Sequence, residues 1–74
     1  MNKIRVVIET GRDCAEFVQI ANTIKEDVFL EDGTNFRADA KSLMGVMYGK
    51  HDFKELYVLS DSDSIATKFL KFIV

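Results

Sequence analysis

The sequence predicts an α+β sandwich of two layers in the order β-α-β-β-α-β-α, with four strands in one antiparallel sheet and three helices on a single face. Three observations predict it. Segments whose apolar residues alternate are interleaved with segments whose apolar residues recur at spacings of three and four. Asp32-Gly33-Thr34 lies between two short apolar runs, the residue types that close hairpins. The chain of 74 residues, 47% hydrophobic and 30% charged, holds enough apolar material for one small core and little beyond it.

The elements follow in order. Over residues 3–9, Ile4, Val6 and Ile8 alternate with Lys3, Arg5, Val7 and Glu9, the pattern of a strand with one face buried. From Asp13, a candidate N-cap, Cys14, Phe17, Val18, Ala21 and Ile24 form an apolar stripe on one helix face. Residues 27–31 and 35–39, carrying Val28, Phe29, Leu30 and Phe36, are expected to pair antiparallel across the Asp-Gly turn. Residues 42–48 read as a short second helix, weakened by Gly45, with Gly49 as a left-handed stop and residues 50–54 as an exposed connection. Residues 55–60 hold Leu56, Tyr57, Val58 and Leu59 as a fourth strand. Asp61-Ser62-Asp63-Ser64 offers caps for a last helix that is expected to turn Ile65, Ala66, Phe69, Leu70 and Ile73 to one side.

Composition narrows the functional classes. The net charge of −2 comes from Lys and Arg scattered among acids, not gathered into a block, which speaks against nucleic acid as a partner. One cysteine closes no internal disulfide, and neither a leader nor a long apolar span is evident, so a single domain over residues 1–74 in a reducing cytoplasm, away from membranes, is expected. No cluster of His, Cys and acid has metal-ligand spacing, and no cofactor is expected. The single histidine, His51, reads as a solvated loop residue, and Cys14 on the apolar stripe reads as core.

The most informative stretch is A-D-A-K-S-L-M-G-V-M-Y-G, residues 38–49, which joins a serine at a helix start to Leu43, Met44 and Met47. With the element order and Glu16-Phe17-Val18-Gln19-Ile20-Ala21 in the first helix, it resembles the histidine-containing phosphocarrier protein (HPr) of the bacterial sugar phosphotransferase system. The resemblance covers nearly the whole chain and implies the HPr-like open-faced β-sandwich. In that family a motif G-[LI]-H-A-R-P-A precedes the first helix, and its histidine takes phosphate from Enzyme I. Registered on Phe17 and Val18, the motif puts Thr10 at the histidine, Arg12 at the arginine and Asp13 at the proline. A phosphothreonine is a stable ester and cannot relay phosphate as the N–P bond of phosphohistidine does. Arg12 with the helix amides is the candidate anion contact, yet Glu9 and Asp13 flank it with negative charge.

Ser42 matches the position that an ATP-dependent HPr kinase phosphorylates in low-GC Gram-positive bacteria, and it also suits the N-cap of the second helix. Leu43, Met44 and Met47 match exposed residues that in the family contact Enzyme I, the kinase and a transcriptional regulator, with Lys41 and Lys50 as rim; packing alone would instead turn Val46 and one Met inward. The expectation is a non-enzymatic, HPr-like regulatory or adaptor protein that binds protein partners through the second helix and is switched by serine phosphorylation in carbon catabolite regulation. An assembly protein on the same fold with neither phosphorylation role is the alternative, and an active phosphocarrier using Cys14 or His51 a minor one. The oligomeric state stays open, since strand edges and the Met cluster are both able to pair with a second copy.

Overall fold

The computed structural model describes all 74 residues. Its elements are β1 (Asn2–Val6), α1 (Gly11–Asn22), β2 (Val28–Glu31), β3 (Arg37–Asp39), α2 (Leu43–Asp52), β4 (Leu56–Ser60) and α3 (Ile65–Lys68), followed by a 3-10 turn over Leu70–Phe72. The four strands form one antiparallel sheet in the order β1-β4-β2-β3, an open sheet with the helices packed on it, as the alternation of periods predicts. Inward residues Val6, Val28, Leu30, Leu56 and Val58 meet Phe17, Ala21, Val46, Ile65, Phe69 and Phe72 from the helical layer. Phe17 anchors this core, its ring centroid 4.5 Å from Phe69 and 5.4 Å from Phe72.

Several boundaries differ from expectation, each for a local reason. β1 stops at Val6, where its partner strand begins at Leu56. The next residue turns to the chain end instead: the Val7 N–H donates to the Phe72 carbonyl at 2.8 Å, and Val6 bridges Ile73. The alternation nevertheless sets the faces correctly, since Ile8 is buried and Val7 exposed. The hairpin loop is longer than Asp-Gly-Thr because Asp32 organises it, its carboxylate accepting from the Thr34 N–H at 2.9 Å, the Thr34 hydroxyl at 2.7 Å and the Phe36 N–H at 3.0 Å. Gly33 supplies the one left-handed backbone, at φ 89°.

The second helix continues through the glycine expected to end it. Gly49 is helical and buried, and a Cβ there would lie 2.8 Å from Phe36 Cε2 and 3.1 Å from Leu30 Cδ2. One turn earlier, a Cβ on Gly45 would lie 3.0 Å from the Ala38 Cβ. The pair is a flat strip that lets α2 rest directly on the β2–β3 hairpin, so Gly45 supports this helix rather than weakening it. Lys50, His51 and Asp52 consequently belong to the last helical turn, not to a connection.

The last helix is also different. After one turn of α3 the chain tightens into the 3-10 turn, so the buried positions are Ile65, Phe69 and Phe72, while Ala66 and Leu70 face solvent. Ser64 makes no side-chain cap. The serines instead form a relay in which Ser60 Oγ donates to the Asp27 carbonyl and accepts from the Ser62 N–H, and Ser62 Oγ accepts from the Ser64 N–H.

Candidate functional site

Two places on the helical side carry the residues singled out by sequence. The first is the start of α1. Thr10, not Asp13, is the N-cap: its extended backbone lets Oγ1 accept from the Asp13 N–H at 3.0 Å. Asp13 stands three residues in and returns the interaction, its Oδ2 accepting from the Thr10 N–H and the Glu9 N–H, each at 3.2 Å. This reciprocal capping box commits the Glu9, Thr10 and Asp13 amides to internal partners and places the Asp13 carboxylate at the positive end of the helix, where an incoming anion would sit. Arg12 is exposed and joins none of the ion pairs, while nearby Glu16 accepts from Lys71 at 2.7 Å. Cys14 is sealed beneath this turn, and burial raises its thiol pKa against the opposing pull of Lys50, so the thiol is neither accessible nor ionised at neutral pH.

The second place is α2. Ser42 is its N-cap and is exposed, with Oγ accepting a long hydrogen bond from the Gly45 N–H at 3.4 Å. The turn that presents it is tied down on both sides. The Lys41 N–H donates to Asp39 Oδ1 at 2.9 Å, the Ser42 N–H to the Asp39 carbonyl at 3.0 Å, and Asn22 Nδ2 of α1 to the Lys41 carbonyl at 3.2 Å. Lys41 and Lys50 are both half-buried at the margins of the helix.

Because Val46 and the two glycines fill the inward face, every large apolar side chain of the helix is turned out: Leu43 is 44% exposed, Met44 83%, Met47 48% and Tyr48 57%. Neither methionine is inward, contrary to what packing alone suggests. The helix needs no inward methionine, since flat Gly45 and Gly49 seat it on the hairpin. Leu43 and Met47, and Met44 and Tyr48, are spaced i, i+4 and so line up along the outer side of the helix.

Tyr48 extends the exposed strip beyond the residues singled out by sequence, and its spacing of four from Met44 is the signal that points to it. Its ring lies 5.6 Å from Phe36 and 6.2 Å from Phe53, which themselves stack at 4.7 Å. One end of the exposed strip is therefore held by an aromatic cluster while the other ends on flexible thioethers.

His51 is exposed, as expected, but it lies in the helix, with Nδ1 2.7 Å from Asp52 Oδ1 and no nucleophile beside it. No three His, Cys, Asp or Glu side chains come together, and the surface holds no enclosed cavity. No helix is long and apolar enough to cross a membrane.

A family model described as the PTS HPr component phosphorylation site matches residues 3–51. Comparison with curated protein sequences gives no match. Among solved structures, HPr-C-His from Thermoanaerobacter tengcongensis is 24% identical, with 95% of this chain and 84% of that one covered at a TM-score of 0.71. A phosphocarrier protein HPr from Bacillus anthracis str. Ames is 23% identical over 95% and 89% of the two chains, at a TM-score of 0.68. The histidine-containing phosphocarrier protein of a mycoplasma is 15% identical over 93% and 84%, also at 0.68. At these identities the solved structures speak for the fold.

Proposed function

The chain belongs to the HPr family of phosphotransferase-system proteins, and from that premise we propose that it is a regulatory or adaptor member without a phosphohistidine, docking protein partners through α2 with Ser42 as its switch. The observation that carries this reading is the outward strip of Leu43, Met44, Met47 and Tyr48 that begins at an exposed N-cap serine. The start of α1 supports the same reading from the other side. Thr10 stands where the family's histidine is registered, its hydroxyl is engaged in capping, and Asp13 occupies the neighbouring amides.

Phosphate on Ser42 would add about two negative charges beside the positive end of α2, where helix amides favour them, so the fold persists while the docking surface changes sign. The partners are proteins of the phosphotransferase system, its kinase or a transcriptional regulator; residues 1–74 act as one domain in the cytoplasm, and no bond-making step belongs to the chain itself.

The test is incubation of the protein and its Ser42→Ala variant with ATP and an HPr kinase, followed by intact mass and peptide mapping. One acid-stable phosphate on the parent and none on the variant is the expected result. No label under conditions that phosphorylate an authentic HPr would remove the switch and leave the assembly reading, in which the strip on α2 pairs with a second protein without modification. Incubation with Enzyme I and phosphoenolpyruvate is expected to give no acid-labile adduct; an adduct at His51 or Cys14 would restore the phosphocarrier reading.

A further inference from the structure

We infer that Met44 is an oxidation site through which hydroperoxides turn the outward strip of α2 from apolar to polar. The inference deepens the docking reading above and rests on it for its biological meaning. Four observations lead to it. The thiol that would ordinarily react first, Cys14, is 1% exposed beneath α1, which leaves thioethers as the accessible sulfur. Met44 is 83% exposed, ahead of Met1 at 65% and Met47 at 48%. It stands in the strip near its N-terminal end, one turn before Tyr48 and two residues after Ser42. Its exposure also means that nothing in the core depends on it, because Val46, Gly45 and Gly49 make the inward contacts of this helix.

The chemistry balances with a hydroperoxide as the only co-reactant. The Met44 sulfur attacks one peroxide oxygen, an S–O bond forms and the O–O bond breaks, and the departing hydroxide, or alkoxide from an organic hydroperoxide, takes the proton of the sulfur-bound OH and leaves as water or an alcohol, giving the sulfoxide. Sulfur loses the two electrons that the peroxide gains. The product carries a strong hydrogen-bond acceptor where an apolar side chain had stood, so a partner would have to desolvate a sulfoxide to dock. Met1 serves as an internal control, since it lies at the chain start beside Asp61 and not on α2.

The test uses the full chain and hydrogen peroxide, with peptide mapping, far-UV circular dichroism and retention on a hydrophobic-interaction column. Met44 is expected to gain oxygen before Met1 and Met47, with helicity unchanged and retention clearly reduced. Methionine sulfoxide reductases should restore retention, and Met44→Leu, which keeps an apolar side chain without the sulfur, should retain normally and lose most of the response. In the kinase assay, oxidised parent should be labelled at Ser42 several-fold more slowly while oxidised Met44→Leu is not slowed. Met1 reacting first, a fully oxidised Met44 with parental retention, or a loss of helicity on oxidation would each overturn the inference. If unoxidised protein takes no label from ATP and kinase, the serine reading falls alone, and mapping with retention still decides the methionine.

Discussion

At the scale of single residues, Thr10 and Asp13 fix the start of α1. A side chain that caps a helix is held in one geometry, and here each caps the other's backbone. Asp13→Ala should cost about 1 kcal/mol in urea unfolding, the usual value of a lost cap, with Asp13→Asn recovering part of it. An unchanged midpoint for Asp13→Ala would show that the box contributes nothing. Capping by Ser42 is legible from sequence, because a serine before a helix has one strong local preference. Which of Thr10 and Asp13 caps α1 was not, since both are good N-caps within one turn of the true start and only the extended backbone at Thr10 separates them.

At the scale of elements, α2 and the hairpin beneath it are shaped by what is small. Ala at position 49 would favour the helix by about 1 kcal/mol in isolation. In the fold its Cβ would press on the Phe36 ring, which is held by Phe53, and on fully buried Leu30, and overpacking of that kind costs about 1–3 kcal/mol. Gly49→Ala should therefore destabilise on balance, by about 1 kcal/mol, and disturb the near-ultraviolet signal of Tyr48; a stabilised variant would refute the close approach.

The hairpin adds a pH dependence. Hydrogen bonds from the Thr34 hydroxyl and amide hold the Asp32 carboxyl below its ordinary pKa, so the folded chain gives up that proton at lower pH than the unfolded chain does. The resulting stability is complete above the ordinary carboxyl range and is lost as pH falls through the depressed folded value. The stability gap between parent and Asp32→Ala should thus be present at pH 7 and narrow progressively in acid. A gap that is constant with pH would mean that the turn depends on shape alone.

At the scale of the whole molecule, the core is small and centred on one ring. Phe17 contacts Phe69, between α3 and the 3-10 turn, and Phe72 within that turn, which ties the first helix to the chain end. Removing it should cost about 3–5 kcal/mol, against a total of about 4–11 kcal/mol for a chain of this length. Phe17→Ala is accordingly expected to melt well below the parent by circular dichroism, whereas Leu70→Ala, at an exposed position, should melt like the parent. Equal loss in the two would contradict the split between Phe69 and Leu70 that the 3-10 turn creates.

The element order, the sheet faces, the serine cap of α2 and the family could all be read in the sequence, because alternation, helical spacing and cap chemistry act over a few residues and leave local patterns. Tertiary contacts decided the rest. Gly49 packs as a helical residue under Phe36 and Leu30, distant along the chain; Leu70 faces solvent because the 3-10 turn buries Phe69 and Phe72 and brings Ile73 to Val6; and Tyr48 is held on the outward strip by the Phe36 and Phe53 rings. In each case a partner distant along the chain takes part, Phe36 and Leu30 for Gly49, Val6 for the chain end and Phe36 for Tyr48, and no local window contains it.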